Sequence, residues 1–341
     1  MRVLLSGYYG YGNLGDEALL SGLSGGLRAL GAEVCVLSGD PAGTRALHGV
    51  AAAGRYRGVP AALWRSDALV SGGGGLLQDA SSSRSLSYYL TLLRLARRLG
   101  KRTCVYAQSV GPLSDGGRRR VARALRGVPV AVRDAASQAL LRELGVASAL
   151  VADPALLLAC PPPAEREPAG EVRPVLLIPR GGHPDLNEAL AGAGRRLLER
   201  GVPVCVLGLH AVEDGAEVAR LAAALRVDAW HATTPADAMR LTATARYVLS
   251  VRLHGLIFAA ACGVGFAGLV YDPKVAGFLE EARAPAFERP VEPAGLADVA
   301  SRGEAPDAEA IGRLTDRARR GLSWLEACLT GTTAVQEHTS G

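Results

Sequence analysis

The chain has 341 residues, 49% of them hydrophobic and 21% charged, with a net charge of +5. That length suits two domains with a core each, and no run reaches the roughly 18 apolar residues of a membrane span. The small basic excess comes without an aromatic-and-basic stripe, which favours small anionic ligands over nucleic acid.

The opening run, Met1 to Gly7, has no Lys/Arg-rich head and no cleavage region after it. It reads as a first strand rather than a signal peptide, so a cytoplasmic location is expected. Strand-length apolar runs then alternate with helical patterns, the signature of a parallel α/β protein. Strands are expected at Arg2–Ser6, Glu33–Leu37, Ala68–Ser71, Thr103–Ala107, Pro129–Arg133 and Ala149–Ala152. The first helix shows Leu20, Leu23, Leu27 and Leu30 on one face and stops at Gly31. Further helices run from Ser85 to Leu99 and from Ala135 to Leu144, each closed by a glycine.

Four prolines follow Cys160 within nine residues, a stiff linker. This sets the expected division: a first domain over 1–160, a linker over 161–172 and a second domain over 173–341. The alternation restarts with strands at Val175–Ile178, Val204–Leu207, Tyr247–Ser250 and Gly265–Val270, and a last helix from Ala308 to Leu329. Two Rossmann-like halves facing a cleft follow from this order. The six cysteines lie far apart with no C-x-x-C spacing, so they read as buried thiols, with neither a metal site nor a disulfide framework.

In open parallel sheets, ligands bind beyond the carboxyl ends of the strands. The unusual residues fall there. In the first half these are Gly7 to Asp16, Gly72 to Asp79, Gln108 to Pro112, Arg133-Asp134 and Asp153-Pro154. In the second they are Arg180 to His183, Gly208 to His210, Arg252 to His254 and Tyr271 to Lys274. Gly10-x-Gly12-x-x-Gly15 matches the dinucleotide fingerprint, with Asp40 placed for a ribose, but the match alone is weak. Its general content is a helix start able to hold an anion or a polar sugar. Asp16 is either a helix cap or a base near an acceptor hydroxyl. Tyr8, Tyr9 and Tyr11 either stack on a sugar ring or pack at the domain interface. Arg252 can grip a carboxylate or phosphate through two N–H groups, or stand as a structural ion pair. His254 can move a proton near neutral pH. The basic residues are 36 Arg and two Lys, Lys101 and Lys274. A lysine changes protonation state when desolvated and an arginine does not, which gives Lys274 a chemical reason to stand in so Arg-rich a chain.

Taken together, the motifs resemble the polysaccharide pyruvyltransferase family. The resemblance rests on Gly12-Asn13-Leu14-Gly15-Asp16-Glu17-Ala18, Ser71 to Asp79, Gly111-Pro112, Arg133-Asp134, Asp153-Pro154, Ser250-Val251-Arg252-Leu253-His254-Gly255 and Tyr271-Asp272-Pro273-Lys274-Val275. It implies a fold like the B-type glycosyltransferases, with phosphoenolpyruvate as co-substrate and no cofactor; the sequence has no metal cluster, so a metal-independent enzyme is expected. It further implies donor contacts from Arg133, Arg252, Leu253 and His254, with His254, Lys274 and Asp16 as catalytic candidates. Acceptor contacts are expected from Asn13, Asp16, Gly74, Gln78 and Asp79. The subgroup it is most similar to pyruvylates the cell-wall glycan that anchors S-layer proteins. That implies an undecaprenyl-diphosphate-linked acceptor ending in N-acetylmannosamine, a 4,6-ketal product, and peripheral contact with the inner face of the plasma membrane. The competing readings are a nucleotide-sugar glycosyltransferase, a nicotinamide-dependent oxidoreductase and a non-catalytic glycan or anion sensor.

Overall fold

Alternating side chains of the first strand divide between two apolar clusters. Val3 and Leu5 enter one, and Leu4 enters the other. A strand buried on both faces needs helices on both sides, which is the logic of the whole chain. The computed structural model describes residues 1–80, 82–161 and 173–331. Contacts divide it into two units. The first comprises Met1–Tyr11, Asp16–Pro154 and the described residues from Thr315; the second comprises Gly12–Gly15 and Ala155–Leu314.

The first unit runs β1 (Arg2–Tyr9), α1 (Leu14–Ala29), β2 (Glu33–Ser38), α2 (Pro41–His48), β3 (Ala51–Gly54), α3 (Val59–Trp64), β4 (Ala68–Leu77), α4 (Ser83–Arg98), β5 (Arg102–Val110), α5 (Asp115–Leu125), β6 (Val130–Val132), α6 (Ala135–Glu143) and β7 (Ala149–Leu150). The second continues β8 (Val175–Ile178), α7 (Pro184–Glu199), β9 (Val204–Gly208), α8 (Ala211–Leu225), β10 (Ala229–His231), α9 (Pro235–Ala243), β11 (Tyr247–Ser250), α10 (Leu253–Ala261), β12 (Gly265–Leu269), α11 (Pro273–Glu281), β13 (Ala286–Phe287), α12 (Pro293–Arg302) and α13 (Ala308–Thr330).

The first sheet has the order β3-β2-β1-β4-β5-β6-β7 and the second β10-β9-β8-β11-β12-β13, all parallel. Each order reverses once, between β1 and β4 and between β8 and β11. A crevice opens outside the carboxyl ends at such a switch point, because the flanking helices leave on opposite faces. The loops there are the glycine-rich ones after β1 and β4, and Arg180 to His183 and Arg252 to His254 after β8 and β11.

Three strands went unseen in the sequence, β3, β10 and β13. β3 is Ala-Ala-Ala-Gly, with low strand propensity and no alternation to read. β4 also runs further than expected, through all four glycines to Leu77. Gly73 and Gly74 hold positive φ there, and the pairing with β5 shifts register after Gly74. The stretch expected to lie beyond the strand is therefore its irregular end.

The chain's last helix departs from the expected division. From Thr315 onward α13 is grouped with the first unit, where Trp324, Leu325 and Leu329 join the apolar cluster of Val3 and Leu5. Arg102 donates to the carbonyl of Leu329 near the helix end. An amphipathic stripe does not declare which sheet it will cover, so sequence order alone assigned it to the second domain. Of the expected linker, residues 162–172 lie outside the described residues.

The cysteines need a correction too. Cys160 and Cys262 are joined as a disulfide, with Cα atoms 5.3 Å apart, although 102 positions separate them in sequence. Local spacing cannot reveal a pair made by the fold, and in a reducing compartment the same residues would stand as thiols. Burial raises the Cys104 thiol and pushes those of Cys205 and Cys328 up to about 12, so these do not read as reactive. After oxidation of the native protein in air, titration of the denatured, unreduced chain with a thiol reagent is expected to count the four free cysteines Cys35, Cys104, Cys205 and Cys328. A count of six would refute the pairing.

Candidate active site

In the second unit four loops converge from the carboxyl ends of β8, β9, β11 and β12. Arg252 precedes α10 and is buried. Its Nη2 donates to Asp214 Oδ1 at 2.6 Å and to Glu213 Oε2 at 2.8 Å, and its Nε donates to Asp214 Oδ2. Asp214 itself is fully buried and also accepts the Gly181 N–H at 3.0 Å. Two of the loops are thus tied through one carboxylate. The ion-pair alternative for Arg252 is realised in this geometry, and the edge of the guanidinium suited to a ligand carboxylate holds a protein one.

Arg180 is different. Its Nη1 donates to Tyr271 Oη at 2.7 Å, and its guanidinium carbon lies 4.7 Å from the Tyr271 ring centre. No carboxylate among the described residues is bonded to it. Lys274 Nζ sits 5.6 Å from the same ring centre and 3.0 Å from Asp272 Oδ2. The His183 ring lies 4.7 Å from that of Tyr271. Tyr271 is thus a hub for an arginine, a lysine and a histidine. Burial lowers the His183 pKa, and the charges of Arg180, Arg289 and Arg252 add to this, so its imidazole is neutral near pH 7. Arg180 was visible in the sequence only as a strand-end residue. Arg252 stands in a family motif and Arg180 does not, and no sequence signal shows which of the two is paired.

His254 lies in the first turn of α10, where N–H groups and the helix dipole favour an anion. Leu253 beside it is buried, at 6% exposure. The Gly12–Gly15 segment, grouped with this unit, reaches the same region. Asn13 forms a β-bridge with His210, and Leu14 N–H donates to the Leu209 carbonyl at 3.1 Å. A side chain at Gly15 would strike the His254 ring, which gives the glycine a reason beyond turn formation. Asn13 Oδ1 also accepts the Gly15 N–H at 3.1 Å.

His210 caps α8, accepting the Glu213 N–H on Nδ1 at 3.1 Å, which leaves the ring hydrogen on Nε2. Burial lowers its pKa from 6.5, against the opposing charge of Glu213. The unfolded chain takes up a proton near 6.5 and the folded chain resists it. Stability is therefore full above that pH and falls as pH drops through the lower folded value. His210→Asn keeps a cap acceptor without the titration. Urea midpoints measured from about pH 7.5 to 5 are expected to fall less steeply in that variant. An unchanged slope would remove His210 from the account.

In the first unit Asp16 is buried in the first turn of α1. A Cβ at Gly74 would lie 2.8 Å from Asp16 Oδ1, so the bare backbone there makes room for the carboxylate. Gly74 pairs in register with Gln108, whose carbonyl accepts the Arg133 N–H. Arg133 Nη1 donates to Asp153 Oδ2 at 2.6 Å and its Nε to Ser109 Oγ at 2.9 Å. Asp16, Gly74 and Arg133 therefore all lie at the carboxyl end of the first sheet. Asp79 is occupied elsewhere. Both its oxygens accept from Ser114, at 2.8 Å from N–H and 2.6 Å from Oγ, which holds its carboxyl below the usual carboxylate range and anchors the start of α5. Gln78, next to it, is half-buried. Asp40, placed by the fingerprint near a ribose, caps α2 by accepting from Ala42 and Gly43.

No helix is long and apolar enough to cross a membrane among the described residues, and no group of three or more His, Cys, Asp or Glu there could hold a metal.

A family model described as polysaccharide pyruvyl transferase matches residues 13–273. A search of curated proteins gave no match. Among solved structures, a glycosyltransferase from Rickettsia africae aligns over 100% of this chain and 99% of its own at 12% identity, with a TM-score of 0.60. Anabaena HepE, solved with UDP and glucose, aligns over 98% of each chain at 14% identity and 0.60. A putative UDP-N-acetylglucosamine 2-epimerase from Listeria monocytogenes aligns over 97% of each at 11% and 0.61. Identities this low show the fold alone: two Rossmann-like domains of the kind seen in B-type glycosyltransferases and epimerases. The family match spans well over half of the chain and includes the loops after β4, β8, β9, β11 and β12, so the chain belongs to the polysaccharide pyruvyl transferase family.

Proposed function

We propose that the protein transfers the pyruvyl group of phosphoenolpyruvate to a sugar of a cell-wall polysaccharide precursor, releasing phosphate. Supporting this beyond the family match is Arg180, a cation bonded to no carboxylate among the described residues, at the second sheet's switch point. A trianionic donor needs fixed positive groups that the protein has not already neutralised. Arg180 takes the donor's carboxylate or phosphate, the start of α10 supplies N–H donors next to His254, and Lys274, already paired with Asp272, stands beside Tyr271 as a proton-transfer candidate. Arg252 reaches the donor through Nη1 alone, since Asp214 and Glu213 hold its other nitrogens. Arg133, balanced by Asp153, is a further donor-contact candidate.

In the reaction an acid, His254 or Lys274, delivers a proton to the methylene carbon of phosphoenolpyruvate, and positive charge builds at the neighbouring carbon. One sugar hydroxyl attacks that carbon, its proton passing to a base for which Asp16 is the candidate. The bond to phosphate breaks, and the second hydroxyl closes the ketal. Two hydroxyl protons are lost, one balancing the new methyl group and one leaving on hydrogen phosphate. The acceptor in this reading is an undecaprenyl-diphosphate-linked glycan ending in N-acetylmannosamine, pyruvylated as the 4,6-ketal for S-layer anchoring, and the enzyme works at the inner face of the membrane without cofactor or metal.

A second reading, nucleotide-sugar transfer, draws on HepE, a fold neighbour solved with UDP and glucose. Calorimetric titration with phosphoenolpyruvate, a UDP-sugar and NADH separates the readings. Saturable binding of phosphoenolpyruvate alone is expected. Binding of the UDP-sugar instead would promote the second reading, and NADH binding would sink both.

A further inference from the structure

The first unit contains a second arginine without a counter-charge. Arg55 follows β3 and is buried to nine-tenths, at 8% exposure. Four tyrosine rings surround its guanidinium carbon. Their centres lie at 4.6 Å for Tyr88, 5.2 Å for Tyr89, and 5.6 Å for both Tyr11 and Tyr56. Nη1 donates to Tyr11 Oη at 3.3 Å and Nη2 to Tyr89 Oη at 3.2 Å, both long for bonds from a charged donor. Nε is buried with no hydrogen-bond partner. No carboxylate among the described residues is bonded to the group.

The phenols do not supply the missing charge. Burial pushes Tyr88 up to about 12 and Tyr89 above its ordinary value, so both are neutral. The same chain shows what a structural buried arginine looks like, with Arg133 on Asp153 and Arg252 on Asp214. Leaving a charged donor buried and under-bonded is costly, and such a group invites an anion. The backbone around it is firmly placed: Arg55 N–H donates to the Ser38 carbonyl at 3.0 Å, and the Arg55 carbonyl accepts from Tyr88 Oη at 2.7 Å. Tyr8 stacks on Tyr11 at 4.4 Å, and Tyr56 is 69% exposed, so one wall of the cage is open to solvent. Asp16 lies near enough for its charge to add to the raised pKa of Tyr89. The cage thus borders the proposed acceptor base.

We propose that Arg55 and the rings of Tyr11, Tyr56 and Tyr88 form a subsite for a phosphorylated saccharide, the guanidinium holding the phosphate oxygens and Tyr56 the apolar face of the sugar. Aromatic faces suit the C–H face of a pyranose, and a planar guanidinium suits two phosphate oxygens at once. The inference deepens the glycan-acceptor reading and rests on it. The phosphate could belong to a free sugar phosphate or to a lipid-linked one, and the two sources need separate arms.

The test is calorimetry with N-acetylglucosamine 1-phosphate in solution, and with the same sugar joined by diphosphate to a polyprenol in phosphatidylcholine vesicles. Saturable binding in at least one arm is expected, with no binding of unphosphorylated N-acetylglucosamine. Arg55→Lys keeps the charge but loses the planar fork, and is expected to weaken binding about tenfold or more. Tyr56→Ala, at an exposed position, is expected to weaken it severalfold without changing the thermal midpoint, and decides the matter if Arg55→Lys does not fold. Phosphoenolpyruvate affinity is expected to be the same in all three proteins. Its absence from the wild type would sink the donor reading and leave this one standing. Binding in neither arm, or folded variants that bind as the wild type does, would overturn the subsite.

Discussion

Arg180→Ala is expected to weaken phosphoenolpyruvate binding by about 10–100-fold, with little change in thermal stability. The magnitude follows from losing a charge-assisted hydrogen bond, about 1.5–3 kcal/mol. The stability expectation follows from the setting. Arg180 is half-buried, its side chain donates to Tyr271, and its removal strands no carboxylate among the described residues. Arg180→Lys keeps charge but not the fork, and should recover only part of the loss. Calorimetry with a parallel melting curve checks both halves. Undiminished phosphoenolpyruvate binding in a folded Arg180→Ala would remove this residue from the donor site.

Arg252→Ala should behave in the opposite way, costing about 3–5 kcal/mol of stability, because it breaks a buried ion pair from one side. Asp214 is fully buried, and its partner Nε and Nη2 would be gone. Glu213 is about half exposed and can rehydrate. The double change Arg252→Met with Asp214→Leu removes both charges and is expected to recover most of the loss. Urea denaturation of the three proteins measures this directly. A cost below about 1 kcal/mol for Arg252→Ala would mean the pair is not the structural element described here. One consequence is practical. Loss of ligand binding in Arg252→Ala reports a disturbed pair of loops as readily as a lost contact, so Arg180→Ala is the cleaner probe of the donor site.

The contrast between these arginines shows where reading residues in order stops being enough. With 36 arginines in the chain, position after a strand brought Arg133, Arg180 and Arg252 to notice alike. Which of them carries a spare charge depends on Asp153, Asp214 and Glu213, which lie 20 and 38 or 39 positions away in sequence and touch only after folding. Arg55 gave no signal at all, because β3 is too alanine-rich to read as a strand and its tyrosines come from three separate segments.

What the residue order determined by itself is the alternation of strand and helix, the parallel α/β class and the placing of polar residues at strand ends. These follow from local periodicity and from glycine and proline, which act within a few residues. The motif order carried the family in the same way. The tertiary structure alone decided that α13 closes over the first sheet, that Cys160 meets Cys262, that Asp79 is spent on Ser114, and that two buried arginines are neutralised while Arg55 and Arg180 are not. Each of these is a pairing between distant segments, set by which surfaces the sheets bring together, and charge compensation exists only where that pairing has been made.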